Sequence, residues 1–455
     1  MKKLWWMPIL VTQLVFSQSV KDKLDAATQS LMKSPQALSS NLSFYVAEDG
    51  GNMVYDYQGS KGLSSASTQK IFTAAAALEL LGKDYKYKTH IGSNGVVENG
   101  VLKGDLIIQS EGDPTLGSWR YDGYKPENFI SKIKSTLRDL GIREVEGSIV
   151  VDDTYFDVQT IPGGWPWDDL GNYYGAGTWG VNWRENQFDV NIKGDQFVNF
   201  SYPLENVVWF NELKVGGNSD QSLVFTAPRS NVAYINGSLP AGKVTTVSGS
   251  TPNPPLQLAR EVKDALVSDG VKVKGEITTG YDFILNKKSV PKISKVWSSY
   301  QSPSLDKIVY WFMRKSINLY GETLLKTIAQ QVKGRSDFKT GVAVLKDFWK
   351  SKGISSNMIN FADGSGLSPQ NYVSAKAEVL ALEYAKKQKW FDVFYEGFPT
   401  QNNGMKMKSG TMRDTKSFAG YHKSKDGKTY TFGILLNNYP GSGSEALQTV
   451  LNALK

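Results

Sequence analysis

A serine and a lysine three residues apart, Ser67 and Lys70, form the first pair in this sequence whose types and spacing could do chemistry. They stand where an Ala- and Leu-rich segment, 68–81, is predicted to form a helix that ends at Gly82. Residues three apart lie on one face of a helix, and a helix N-terminus favours an oxyanion nearby. A partly desolvated lysine has a lowered pKa and can accept the proton of a neighbouring hydroxyl. The pair therefore predicts a serine nucleophile with a lysine base.

This four-residue pattern is weak by itself. The same spacing of serine and lysine recurs, starting at Ser30, Ser131, Ser289, Ser304 and Ser336. The alternative for Ser67 is that it only caps the helix. The assignment therefore depends on partners elsewhere in the chain.

Two further motifs supply such partners, in order along the chain. The Ser-Ile-Asn motif at 316–318 stands at the head of a predicted helix, where a hydroxyl could relay a proton and an amide could hold a substrate peptide group. The Lys-Ser-Gly-Thr motif at 408–411 lies on a predicted strand that could pair with an extended peptide. Its lysine can counter a carboxylate, and its glycine lets a substrate approach the backbone.

A literal Lys-Thr-Gly occurs at 339–341 and competes with the motif at 408–411. It precedes a helical pattern and lies only 21 residues beyond Asn318. We interpret it as a loop at the start of a helix and prefer 408–411.

Composition narrows the kinds of site that the chain could hold. It has no cysteine and two histidines, His90 and His422, which excludes a thiol nucleophile, disulfides, Cys-type zinc sites and a three-histidine metal site. We therefore expect no cofactor or metal. The formal charge is +8, but no Lys- and Arg-rich run with interleaved aromatics occurs, so no nucleic-acid partner is predicted.

The N-terminus is typical of a cleavable signal peptide. Lys2 and Lys3 precede a mostly apolar run, 4–16, and small residues follow it. The run is too short for a comfortable membrane span, and no later segment has about 18 consecutive apolar residues. We predict a signal peptide over 1–18 and a periplasmic or otherwise extracytoplasmic protein without a stable span. The alternative is an uncleaved anchor.

The elements that must position the motifs come from both ends of the chain. The predicted helices are 20–33, 68–81, 304–313, 317–332, 340–351, 374–386 and 443–454, the last capped by Ser444. The predicted strands are 42–47, 53–57, 405–411, 417–421 and 429–437. Strands and helices at both ends of the chain thus flank a middle segment whose sequence pattern differs from theirs.

The middle of the chain, 84–290, has short strand-like runs separated by Gly, Asn and Asp. Two similar stretches, 141–151 and 270–279, each follow a helical segment and suggest duplicated helix–strand units. We predict an α/β (α+β) catalytic domain built from 19–83 and 291–455. Residues 84–290 would be inserted as one or two β-rich accessory domains.

Longer stretches carry a resemblance to a known family. They are SASTQKIFTAAAALELLG (65–82), SEGDPTLG (110–117), VDDTYFD (151–157), GWPWDDLGNYYGA (164–176), ADGSGLSPQN (362–371) and KSGTMRDTKSFAGY (408–421). With the three ordered motifs, the sequence resembles the D-Ala-D-Ala carboxypeptidase/endopeptidase family, the class C low-molecular-mass penicillin-binding proteins. The resemblance implies a β-lactamase/transpeptidase-like catalytic domain, with two smaller domains inserted between the first and second motifs.

The resemblance also implies a role for each motif residue. Ser67 would be the acylated nucleophile and Lys70 its base. Ser316 would relay protons, Asn318 would bind the substrate amide, and Lys408 would supply positive potential. Ser409 and Thr411, on either side of Gly410, would hold the terminal carboxylate. Backbone N–H groups of Ser67 and Thr411 would form the oxyanion hole.

A loop at 165–176 matches one that, in some members, contacts the diamino-acid side chain of the stem peptide. The matching positions are Asp169 and Tyr174, and the alternative is that they only pack the inserted domain. Trp165 and Trp167 are expected to be packing residues. Asp363 and Ser365 are expected to form a wall or scaffold near the cleft.

Two departures from the family pattern concern the third motif. Ser409 stands where the commonest form has threonine, which keeps the hydroxyl. The segment before Lys408, 398–407, lacks the stretch in which many members carry an arginine for the substrate side. Substrate preference is therefore open.

The predicted function is that of a serine DD-peptidase. It would cleave the terminal D-Ala, the cross-link, or both, in peptidoglycan stem peptides through an acyl-enzyme, and β-lactam antibiotics would be covalent inhibitors. The alternatives are a serine β-lactamase or esterase on the same scaffold, and a non-catalytic envelope-binding protein.

Overall fold

The computed structural model describes residues 19–425 and 427–455, and the predicted signal peptide lies outside them. The helices are α1 Val20–Met32, α2 Lys70–Leu81, α3 Pro126–Asp139, α4 Trp167–Leu170, α5 Pro254–Ser268, α6 Gly280–Leu285, α7 Leu305–Lys315, α8 Asn318–Lys333, α9 Phe338–Ser351, α10 Ala375–Lys386, α11 Phe391–Glu396 and α12 Gly443–Leu451. In this part of the chain, no helix has both the length and the apolar character to cross a membrane.

The strands alternate with these helices at both ends and dominate the middle. They are β1 Asn41–Glu48, β2 Met53–Tyr57, β3 Gly62–Leu63, β4 Lys88–Ser93, β5 Val96–Glu98, β6 Val101–Lys103, β7 Leu106–Ser110, β8 Glu144–Val145, β9 Ile149–Asp152, β10 Gln187–Lys193, β11 Gln196–Phe200, β12 Val208–Val215, β13 Leu223–Phe225, β14 Val232–Leu239, β15 Val244–Ser250, β16 Lys272–Val273, β17 Ile277–Thr279, β18 Lys295–Gln301, β19 Ile359–Asn360, β20 Tyr372–Ser374, β21 Lys406–Met412, β22 Thr415–Lys423 and β23 Thr429–Asn437.

One antiparallel sheet joins the two ends of the chain, in the order β2-β1-β23-β22-β21. Phe44 of β1 is the register partner of Ile434 of β23, although the two lie nearly the whole chain apart. β21 and β2 are the two edge strands of this sheet. The domain around this sheet is therefore built from both ends of the chain, as predicted.

Helices cover both faces of this sheet because its strands alternate apolar side chains between the faces. Phe432 and Ile434 of β23 share a core cluster with residues of α1 and α12. Leu435 belongs instead to the cluster that contains the alanines of α2 and the apolar residues of α8 and α10. Residues 70–78 of α2 are all buried, which explains why this helix is apolar all round rather than amphipathic.

The C-terminal helix corrects one detail of the prediction. The hydroxyl of Ser442, not Ser444, caps α12 by accepting a hydrogen bond from the backbone N–H of Glu445. Ser444 lies in the first turn of the helix instead. Both positions offer the same side chain, so the sequence could not choose between them.

The middle of the chain forms further sheets with their own apolar clusters. The two similar stretches do form matching helix–strand units, α3 with β8 and β9, and α5 with β16 and β17. The units pair in parallel, with Glu144 opposite Lys272 and Ile149 opposite Ile277. The β-rich accessory part of the fold is thus present, while the boundaries at 83/84 and 290/291 remain predictions.

Candidate active site

Ser67 lies in a tight turn before α2, and the helix begins two residues later than the predicted start at residue 68. Residues 66–69 form a 3₁₀ turn, and α2 begins at Lys70. Ala66 has φ of 47°, a conformation that strains any residue with a side chain. β21 passes so close to this turn that a Cβ on Gly410 would lie 2.9 Å from the backbone nitrogen of Ser67. The glycine of the third motif therefore permits the strand to approach the nucleophile candidate.

Lys70 is fully buried and has three polar neighbours. Its Nζ lies 2.9 Å from Oγ of Ser67, 2.6 Å from Oδ1 of Asn318 and 2.7 Å from the carbonyl oxygen of Ser365. Burial lowers the pKa of Lys70 to about 7, although the charges of Asp363 and Glu322 act in the opposite direction. A neutral amine is therefore accessible near neutral pH.

A hydrogen bond between Lys408 and Ser316 joins the third motif to the second. Nζ of Lys408 donates to Oγ of Ser316 at 2.9 Å and to the carbonyl oxygen of Ser409 at 2.9 Å. Ser316 ends α7 in the left-handed conformation, with φ of 59° and ψ of 39°. This turn directs the chain into α8, which begins at Asn318. Burial, followed by the charges of Lys70 and Lys416, holds the pKa of Lys408 well below its usual value.

The segment 165–176 covers the site from the side of the accessory part. Nδ2 of Asn318 donates to the backbone carbonyl of Tyr174 at 2.8 Å. Asp169 and Tyr174 both face the cavity that also contains Ser67. Burial raises the pKa of Asp169, while its hydrogen bond with Tyr174 opposes that shift. Both side chains are half-buried, so they lie at the cavity wall rather than in a core.

The two tryptophans of this segment differ. Trp165 is buried, and its Nε1 donates to Oδ2 of Asp363 at 2.9 Å. Trp167 is half-exposed, with Nε1 3.3 Å from the hydroxyl of Tyr234. Trp165 therefore anchors the segment to the catalytic part of the chain.

Asp363 is the centre of a buried hydrogen-bond network. Its carboxylate accepts from Gln69 Nε2, Trp165 Nε1, Gly366 N, Ser368 N and Asn371 Nδ2. These bonds fix the loop whose Ser365 carbonyl accepts from Lys70. Asp363 is thus placed to shape the site through that loop rather than to touch a substrate.

A cavity of about 750 Å³ brings most of the predicted residues together. Its wall includes Ser67, Asp169, Tyr174, Ser316, Asn318 and Thr411. Lys70, Lys408 and Gly410 are buried behind that wall, and Ser409 is half-buried on β21. In contrast, the competing Lys-Thr-Gly at 339–341 lies in the first turn of α9, not in a loop, and none of its residues lines the cavity.

Sequence reasoning missed Arg120 and Glu185, which also line the cavity. Nε of Arg120 lies 3.0 and 2.9 Å from the two carboxylate oxygens of Glu185. Glu185 is the middle of three consecutive residues with positive φ, 184–186. No pattern of side chains in the sequence predicts such a run of left-handed backbone. Arg120 and Glu185 are also 65 positions apart in the chain. Only the fold brings them together.

This arrangement offers a hydroxyl nucleophile, a desolvated amine beside it, and a second amine that reaches the same cavity through a serine. It is suited to acyl transfer in which lysines rather than histidines move protons. The family to which the chain belongs identifies the reaction. A family model described as the D-Ala-D-Ala carboxypeptidase 3 (S13) family matches residues 24–455.

The chain belongs to the D-Ala-D-Ala carboxypeptidase 3 (S13) family. S13 relatives include a D-alanyl-D-alanine carboxypeptidase of Actinomadura sp. strain R39, 27% identical over 438 residues that cover 88% of this chain and 78% of the relative. D-alanyl-D-alanine carboxypeptidase DacB of Haemophilus influenzae is 25% identical over 88% of this chain and 86% of its own. This S13 chain is accordingly a serine-type D-Ala-D-Ala carboxypeptidase, as the sequence predicted.

The fold agrees with this S13 membership. The crystal structure of penicillin-binding protein 4 (dacB) from Haemophilus influenzae matches with a TM-score of 0.77 at 23% identity, over 94% of this chain and 97% of the other. The same protein complexed with a β-lactam matches with a TM-score of 0.72 at 22% identity, over 94% and 98%. The predicted fold class is therefore confirmed.

Proposed function

We propose that Ser67 is the nucleophile of this peptidase and Lys70 its general base. The observation that carries the proposal is the set of three neighbours around Nζ of Lys70. A neutral amine has two N–H bonds and one lone pair. The carbonyl oxygens of Asn318 and Ser365 match the two N–H bonds, and the hydroxyl of Ser67 matches the lone pair. The burial that makes the neutral form accessible also makes proton transfer from Ser67 possible.

The acylation step follows from this geometry. Oγ of Ser67 gives its proton to Nζ of Lys70 and attacks the carbonyl carbon of the penultimate D-Ala. Backbone N–H groups of Ser67 and Thr411 stabilise the oxyanion. The C–N bond then breaks, and the leaving amine takes a proton from the hydroxyl of Ser316, which Lys408 replenishes through the 2.9 Å contact. An acyl ester on Ser67 and a free D-amino acid or peptide amine result.

Deacylation reverses the proton movements. A water attacks the ester carbonyl, its proton passes through Ser316 to Lys408, and Oγ of Ser67 leaves with the proton that Lys70 took up during acylation. Asn318 is placed to hold the substrate amide, because its Oδ1 and Nδ2 are oriented by Lys70 and the Tyr174 carbonyl. Ser409 and Thr411 are proposed to bind the terminal carboxylate, and Asp169 and Tyr174 the side chain of the third stem residue.

The substrate and the location are proposals of the same kind. The family name points to D-Ala-D-Ala termini, the chemistry of peptidoglycan stem peptides. We propose a periplasmic or otherwise extracytoplasmic location, because the signal peptide predicted over 1–18 would export the chain to where peptidoglycan lies. The division of the chain into a catalytic part, 19–83 with 291–455, and an inserted part, 84–290, is proposed with them.

We further propose that β-lactams acylate Ser67. Penicillin-binding protein 4 of Haemophilus influenzae, which shares the fold, was crystallised with a β-lactam. A β-lactam carbonyl placed like the scissile carbonyl of the peptide would meet the same hydroxyl, and ring opening would leave an ester.

The decisive measurement is the intact mass of the protein after incubation with benzylpenicillin, followed by peptide mapping. One stable adduct on the Ser67 peptide, absent in Ser67→Ala, is expected. Ser131→Ala is the matched control, because Ser131 has the same spacing to a lysine but lies exposed on α3. It should keep the adduct.

Other outcomes would contradict parts of this proposal. Rapid consumption of the drug without an adduct would favour the β-lactamase or esterase. Folded protein that neither reacts nor consumes the drug would favour a non-catalytic envelope-binding protein. An adduct that persists in Ser67→Ala would assign the nucleophile to another residue.

A further inference from the structure

A lysine on the neighbouring strand contacts the hydroxyl of the third motif. Nζ of Lys416 donates to Oγ1 of Thr411 at 2.7 Å. The two residues are direct partners across the β21–β22 ladder, so their side chains lie on one face of the sheet. Thr411 itself is exposed and lines the cavity that contains Ser67.

This contact determines what the threonine hydroxyl can do. A hydroxyl has one proton to donate and two lone pairs that accept. Because Oγ1 of Thr411 accepts from an ammonium, its own proton is directed away from Lys416 and is available to a ligand in the cavity that Thr411 lines. A hydroxyl that accepts from a cation is also a stronger donor to an anion. The arrangement favours a negatively charged group in the cavity next to Thr411.

Among the residues that the structure describes, no acidic side chain competes with Thr411 for the ammonium of Lys416. No carboxylate in residues 19–425 or 427–455 forms an ion pair with it, and burial is the one influence on its pKa, which it lowers. Its stem packs near Gly443, and its ammonium lies 4.9 Å from the centre of the Phe418 ring. Its charge also reaches Lys408, where it adds to the lowering of that lysine's pKa.

We propose that Lys416 is a positioning residue for substrate recognition. It orients and polarises the hydroxyl of Thr411, which then donates to the carboxylate of the leaving D-amino acid. The inference rests on the proposed function of the same site. Lys416 provides a positive charge from the neighbouring strand β22.

The test uses two thioester substrates with the same D-Ala-containing acyl group. One has thioglycolate as the leaving thiol, which carries a carboxylate, and the other has its neutral amide. Lys416→Met should raise KM about tenfold for the carboxylate substrate and leave kcat nearly unchanged, since a bond to a charged group is lost. It should not change KM for the amide. Lys416→Arg should restore most of the binding.

Two further variants exclude general effects. Lys423→Met removes a cation at the exposed end of the same strand and should leave KM and kcat unchanged for both substrates. Thr411→Val should raise KM for the carboxylate substrate, and adding Lys416→Met to it should cause no further loss.

Several results would overturn the inference. Equal losses on both substrates in Lys416→Met would show a structural role, and no loss on either would show an idle contact. Additive losses in the double variant would show that Lys416 does not act through Thr411. Failure of the proposed function is distinguishable, because the unsubstituted protein would then form no acyl-enzyme from either thioester.

Discussion

The cavity has two walls that are built by different means. In the wall from the catalytic part, the candidate catalytic side chains hold one another: Lys70 contacts Ser67 and Asn318, and Lys408 contacts Ser316. In the covering segment 165–176, the contact with Asn318 comes from the backbone instead, through the carbonyl of Tyr174. Its cavity-facing side chains, Asp169 and Tyr174, are left half-buried.

Glycines explain how a backbone can form the second wall. A Cβ on Gly175 would lie 1.8 Å from the carbonyl oxygen of Asp169, and one on Gly171 would lie 2.0 Å from that of Val224. Such close approaches exclude any other residue. In the proposed mechanism, the wall from the catalytic part, the catalytic wall, is preorganised for proton transfer, while the covering segment has a fixed backbone path and half-buried side chains. Proton transfer and recognition of the third stem residue are thereby assigned to different walls.

The largest effect should come from removing the base. Lys70→Met should slow acylation by benzylpenicillin about 10²- to 10⁴-fold, the usual contribution of a general base. Stopped-flow measurement of adduct formation checks this. Lys134→Met, at the same spacing from Ser131, is the matched control and should behave like the unsubstituted protein. If folded Lys70→Met lost less than tenfold in acylation rate, the proposed difference between the walls would be wrong, because Lys70 of the catalytic wall would then not be the base.

The pH profile should show a smaller, graded effect. Because burial lowers the pKa of Lys70 to about 7, the neutral amine is the major form only above that pH. The acylation rate should therefore fall about tenfold for each pH unit below 7 and level off above it. Rates between pH 5 and 9 in a constant-ionic-strength buffer test this. A flat profile across pH 7 would show that the proton leaves Ser67 by another route.

The smallest effect should come from the covering segment. Asp169→Asn should raise KM about two- to fivefold for a peptide whose third residue carries a side-chain amine, because a half-exposed ion pair contributes little. Acylation by benzylpenicillin, which lacks that residue, should not change. Matched peptides with and without the amine provide the comparison. Equal losses on peptide and drug would show that Asp169 only packs the accessory part.

Local patterns predicted much of the catalytic part. The strands 42–47, 53–57 and 429–437 and the helices 317–332 and 374–386 were placed within a residue or two of β1, β2, β23, α8 and α10. Apolar periodicity and turn residues determine such elements, and both are local. The start of α2 was misplaced by two residues, because the 3₁₀ turn at 66–69 depends on contacts with the loop after Asp363 and with β21.

The remaining site residues had no local signal. Nothing in the sequence distinguishes Arg120 and Glu185 from other charged residues. They form an ion pair in the structure, where Glu185 lies in a run of left-handed backbone. Lys416 is one lysine among many until the register of β21 and β22 sets it opposite Thr411. The backbone path that brings Arg120 to Glu185 depends on contacts between distant segments. The register of β21 and β22 is set by the tight turn between Met412 and Thr415, and residue type alone does not mark Lys416 as the partner of Thr411.

The sequence by itself determined the three motifs, their order, the kind of nucleophile available in a chain with no cysteine, and the family. These depend on residue identity and spacing, which are legible without coordinates. The tertiary structure alone decided that burial lowers the pKa of Lys70, that Asn318 joins the two walls, and that Lys408 contacts Ser316. Burial and contact between distant segments set a pKa and orient a hydrogen bond, and both exist only once the chain has folded.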